Sequence, residues 1–212
     1  MIRVYDYRKD IANVVVHPEI RGRFMRMEPA PAGRMHSHDL GGEIFLVLEG
    51  QCEFIVENER VTCQPGQLIY VEPRLKHTLH AVGSAPCVVY LSVTPHVEPT
   101  HTQYDEAYNR LPPRYGTWRG KDMADPQPDV STGELAARYA EAARALARFG
   151  QANAEAQTNH LRELTKALAD GDQPRTKQIV DAMWLSLRDV LQQTSAVEEA
   201  WNGLAPRAMP AT

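Results

Sequence analysis

The stretch Gly33-Arg34-Met35-His36-Ser37-His38-Asp39-Leu40-Gly41-Gly42-Glu43-Ile44-Phe45-Leu46-Val47-Leu48-Glu49-Gly50 decides how the chain is read. Side chains alternate along a strand with period two, so His36 and His38 fall on one side. Beyond the Gly41-Gly42 turn, Glu43 opens a β-prone apolar run, Ile44 to Leu48, that ends at Gly50. Two imidazoles and a carboxylate presented from adjacent strands form a partial shell for a divalent transition metal. A fourth ligand has to come from elsewhere.

Outward from this stretch, the chain up to about Val93 reads as short strands. Ile2 to Tyr5, Asn13 to Val16 and Arg23 to Met27 precede it. Gln51 to Glu57, Arg60 to Cys63, Leu68 to Val71, His77 to Val82 and Cys87 to Val93 follow, with turn residues such as Pro65-Gly66, Pro73 and Gly83 between them. Short strands at close, regular spacing predict an antiparallel sandwich or barrel. A hairpin loop at Asn58-Glu59 would place Phe54 opposite Cys63, leaving Cys52 and Cys63 diagonal on one face. Three cysteines, Cys52, Cys63 and Cys87, make an odd set, and buried free thiols are expected in a reducing, cytoplasmic setting.

The missing ligand lies in Pro65-Gly66-Gln67-Leu68-Ile69-Tyr70-Val71-Glu72-Pro73-Arg74-Leu75-Lys76-His77-Thr78-Leu79-His80-Ala81. Here the sequence resembles the cupin superfamily, small β-barrels with a metal site in the mouth. The family's first motif, a His-x-His pair, a Glu and then a Gly, is met by His36, His38, Glu43 and Gly50. Its second, a Gly, a proline-containing turn and one His, is met by Gly66, Pro73 and His77. The resemblance covers roughly Arg23 to Val93. It implies an antiparallel β-barrel of the jelly-roll type and one divalent metal held by His36, His38, Glu43 and His77. Arg74 stands where the family has a turn glycine, a position normally chosen for a backbone shape that other residues tolerate poorly. Imidazole and carboxylate ligands suit Mn, Fe, Co, Ni, Cu or Zn, and the lack of a ligating thiol argues against a structural cysteine-type zinc site. Three neutral histidines and one carboxylate leave two positions of a six-coordinate ion for water, dioxygen or substrate.

Other residues carry weaker signals. His80 falls on the opposite strand face from His77 and is not expected to be a ligand. His17, His96, His101 and His160 have no partner spacing and default to surface or loop positions. Arg23, Met25 and Met27 share one strand face with Arg26 on the other. Tyr70 and Tyr90 are candidates for the barrel interior.

Residues 95–130 form a connector rich in proline, with Tyr104, Tyr108, Tyr115 and Trp118 expected to pack it on the barrel. From Ser131 the period becomes helical, and residues 131–205 read as an all-α bundle. Ser131-Thr132-Gly133-Glu134 is a capping box opening a helix that stops at Gly150. A second helix runs from about Ala152 to Asp170, a third starts at Asp172-Gln173-Pro174, and a capping box at Ser195 opens a short fourth. Trp184 and Leu191 broaden the third helix's apolar stripe into a possible partner surface.

A formal charge of −4 gives no electrostatic case for nucleic acid or an anionic membrane. No apolar run approaches the roughly 20 residues of a bilayer span, and the start lacks the shape of a signal peptide. No nucleophile-and-base pair or phosphate loop is present, so no catalytic residue is assigned. The expectation is a metal-dependent enzyme on a small polar molecule, with oxygenase, isomerase and lyase chemistry unresolved. The alternative is a non-catalytic binding or sensing module whose helical tail serves oligomerisation, a homodimer first, or signal output.

Overall fold

The computed structural model describes residues 2–116, 125 and 127–208, so the expectation that falls on Trp118 lies outside it. The chain divides into two compact units, residues 1–126 with 205–212, and residues 127–204.

The first unit is built on ten strands: β1 (Asn13–His17), β2 (Ile20–Met27), β3 (His36–Ser37), β4 (Gly42–Glu49), β5 (Cys52–Val56), β6 (Glu59–Cys63), β7 (Leu68–Val71), β8 (His77–Ala81), β9 (Cys87–Thr94) and β10 (Thr102–Gln103). They form two five-stranded sheets, ordered β1-β2-β9-β4-β7 and β10-β3-β8-β5-β6. The expected barrel is therefore corrected to a two-layer antiparallel sandwich, consistent with a jelly roll but not closed. Each sheet ends on edge strands, β1 and β7 in one and β10 and β6 in the other, instead of wrapping round to hydrogen-bond its fellow.

Alternation decides which side chains meet inside. In β4, Glu43, Phe45 and Val47 are buried while their neighbours are half-buried. Phe45, Val47, Cys52, Phe54, Val89 and Leu91 make the core, with the Phe45 and Phe54 rings 5.2 Å apart. Burying each such side chain contributes about 1.5–3 kcal/mol. All three cysteines are buried and free.

Two local expectations change. Residues 2–5 join no sheet, and Ile2 and Val4 stand exposed; a short apolar run with no partner strand gains nothing by extending. The β5–β6 hairpin turns at Glu57-Asn58, one residue earlier than expected, because Glu57 takes up a left-handed backbone with φ 52. Cys52 therefore faces Cys63 directly, and Phe54 faces Val61.

After the sandwich, α1 (Thr132–Ala169) and α2 (Gln173–Ala208), which make the second unit up to residue 204, replace the expected three helices and short fourth. Ser131 caps α1 as predicted, its Oγ accepting from the Glu134 N–H at 3.1 Å. Gly150 does not stop the helix, since one mid-helix glycine costs only about 1 kcal/mol against the hydrogen bonds on either side. The Ser195 capping box lies inside α2, where continuing helical bonds leave it nothing to cap. Gly171, with φ 67, makes the real turn, and the Asp172 carboxylate accepts from the Arg175 N–H. No helix among the described residues is long and apolar enough to cross a membrane.

Candidate metal centre

One strand pairing and the facing of the two sheets bring the ligands together. His36 on β3 lies opposite His77 on β8, and His38 follows two residues later on the same side. Glu43 sits in the other sheet, in a row that runs Arg21, Val93, Glu43, Val71 across β2, β9, β4 and β7. One ligand atom each from His36, His38, Glu43 and His77 falls within 4.8 Å of the others, close enough to hold a metal ion. The tight approach at Gly41 helps: a Cβ there would meet the Pro95 carbonyl at 2.8 Å, so a side chain would push the following segment away.

The hydrogen bonds set which nitrogens face inward. His38 Nδ1 lies 2.5 Å from the Thr100 carbonyl, and His77 Nδ1 lies 2.9 Å from the Leu75 carbonyl. Carbonyls only accept, so both Nδ1 atoms carry the proton. The Nε2 atoms then hold lone pairs, unless a second proton makes the ring cationic. Both point at one atom, Glu43 Oε2, at 2.9 Å each, and His36 Nε2 stands 4.0 Å from it. His38, Glu43 and His77 are all about 3% exposed at the side chain.

Burial holds His36 down at about 3, with the neighbouring His77 adding to the effect, so it is neutral and ready to donate a lone pair at neutral pH. Burial pushes Glu43 up, but the contacts from His38 and His77 outweigh it and hold the carboxyl well below its usual range. The donor set thus fits a divalent metal: neutral imidazoles, one carboxylate, and carbonyl acceptors behind two of the rings to fix their tautomers.

Several residues differ from expectation. His96 is buried, and His101 packs its ring 5.1 Å from His36 and 5.0 Å from His38, so neither is a surface group. Burial, with His36 and His38 beside it, holds His101 well below 6.5. No spacing rule points to it, because residues 96–102 reach the cluster through long-range contacts, the pairing of Thr102 with Ser37 and the Thr100 carbonyl at His38. Arg21, 2% exposed with Nη2 4.0 Å from Glu43 Oε1, was equally hidden in the sequence. Tyr70 and Tyr90 fall on the outer face: Tyr70 is exposed, and Tyr90 packs on Phe24. Met25 and Met27 pack against the core. His80 lies away from the cluster, 3.6 Å from Glu53.

Residues 23–94 match the family described as "Cupin domain". An uncharacterised protein of Methanocaldococcus jannaschii is 31% identical over 52 residues, 24% of this chain and 42% of that relative, so the match spans less than half the relative's length. Among solved structures, the chain is similar to a Klebsiella pneumoniae protein with a double-stranded β-helix domain. That match has 14% identity, covers 50% of this chain and 100% of that one, and has a TM-score of 0.45. It is also similar to KdgF from a Halomonas species, at 22% identity over 39% of this chain and 76% of that one, with a TM-score of 0.36. Residues 23–94, bearing the two motifs and the His/Glu cluster, therefore carry a cupin domain.

Proposed function

We propose that the domain binds one divalent transition metal through His36, His38, Glu43 and His77 and uses it on a small polar molecule. One observation carries this reading. Two imidazoles, each committed through Nδ1 to a backbone carbonyl, aim Nε2 at the same buried carboxylate oxygen. A buried anion facing two lone pairs is costly unless positive charge lies between them. Two added protons or one metal supply that charge, and a metal also engages His36, which burial keeps neutral.

A bound metal would supply Lewis-acid or redox chemistry. The protein's own part is to orient the donors. The Thr100 and Leu75 carbonyls fix the tautomers, Phe45 backs His77, and His101 packs against His36 and His38. His36 is the least buried of the four, so its side is where a small molecule enters. Whether that molecule is turned over or only held is decided by product analysis.

Elemental analysis of protein purified without added metal tests the assignment. About one metal per chain is expected, with His36→Ala and His77→Ala each losing ten- to a hundredfold or more in affinity while the sandwich stays folded. Stoichiometric metal that persists in both variants would falsify the site.

A further inference from the structure

Arg21 is out of place as a merely structural residue. It is buried in a row with Glu43, its Nε is shut from solvent with no hydrogen-bond partner, and its Nη2 is too far from Glu43 for a hydrogen bond. Two residues along, on the same face, Arg23 has a second buried Nε without a partner. A buried guanidinium offers five donors, and leaving them unmade is expensive. Among the described residues Glu43 and Glu98 are the acids acting on Arg21, and Glu43 is committed to the histidine cluster. With a divalent cation in place, the positive charges of metal, Arg21 and Arg23 exceed the two carboxylates.

We propose that the site takes a small carboxylate, one oxygen toward the metal and the other on the Arg21 guanidinium. This inference rests on the metal-binding reading above. A planar carboxylate matches the guanidinium fork, and its negative charge offsets part of that surplus.

The experiment uses the full chain and acetate as probe, with acetamide as the neutral isostere, titrated calorimetrically with and without cobalt(II). In the cobalt form, the visible absorption of the metal gives a second readout. Acetate is expected to bind and shift the spectrum, while acetamide does neither. Arg21→Met should weaken acetate by about tenfold or more at unchanged metal content, and Arg21→Lys should recover part of the loss. Equal acetate affinity in wild type and Arg21→Met, or acetamide binding as tightly as acetate, overturns the proposal. Metal content measured on the same samples separates this failure from that of the metal site. If no metal binds, loss of acetate affinity in Arg21→Met still supports the anion site, and no loss sinks it.

A second observation stands apart from the site. On α2, Val180, Trp184, Leu187 and Leu191 recur at spacings of four, three and four, and all are 42–54% exposed. The adjacent stripe, Ile179, Met183, Ser186 and Val190, already faces α1, as the Gln157 bond to the Met183 carbonyl marks. The exposed stripe has the spacing of a coiled-coil seam, and the described residues leave it half-exposed. We infer that it pairs with the same seam of a second copy, antiparallel about a two-fold axis. That register sets Val180 against Leu191 and Trp184 against Leu187. It also brings Asp181 near Arg188, opposite charges that flank the seam. An isologous contact requires such self-complementarity.

Light scattering on the full chain should give twice the 23.8 kDa chain mass. Leu187→Lys with Leu191→Lys should give monomer with helical circular dichroism retained. Asp181→Arg should weaken the dimer and adding Arg188→Asp should restore it. A monomeric wild type at every concentration, or a dimer indifferent to these changes, overturns the seam.

Discussion

At the level of single residues, Arg74 illustrates how a site is positioned at a local cost. Its φ is 73, and its N–H donates to the His38 carbonyl at 2.8 Å, tying the turn before His77 to the strand that carries the other histidines. A non-glycine residue in this region costs about 1–2 kcal/mol, part of which glycine returns in greater freedom when unfolded. Arg74→Gly is therefore expected to stabilise the protein by up to about 1 kcal/mol, read from urea unfolding, with metal content unchanged. The sequence displayed this conflict openly, since Arg74 departs from a glycine position of the second motif. The four clustered residues were legible for the same reason: each belongs to a motif with fixed spacing. Arg21 and His101 were not. They reach the cluster through strand rows and a loop return, and nothing in their sequence neighbours encodes that.

At the level of elements, strands were easier to read than helix ends. β-Prone apolar runs marked β4, β5, β8 and β9 to within a residue or two, because each buries much of its length. The hairpin register missed by a residue because Glu57, not a habitual turn former, adopts the left-handed position. Gly150 misled for the opposite reason: it resembles a stop but lies in continuous helix, with open space where a Cβ would go. Gly150→Ala should thus stabilise the helical unit by about 0.5–1 kcal/mol, raising its thermal midpoint as followed by circular dichroism. A destabilising outcome would mean the glycine is needed for a contact outside the described chain. Capping signals share this weakness. Ser131 caps a helix and Ser195 sits within one, and only the hydrogen bonds on either side tell them apart.

At the level of the whole molecule, fold class was within reach of the sequence, but closure of the sheets was not. The periodicity that predicts short antiparallel strands is the same for a sandwich and a barrel, and only the pairing at the sheet edges separates them. The stretch after β9 was harder still. Its prolines and aromatics suggested a wrapping connector, yet it delivers His96, Thr100, Thr102 and their backbone into buried positions. The acceptor that fixes the tautomer of His38 is the carbonyl of Thr100, beyond the end of the segment that matches the family. The segment that matches the family and the segment that shapes the His/Glu cluster are therefore of different lengths. A domain trimmed at residue 94 would keep every donor atom and lose the instruction telling one of them which way to face.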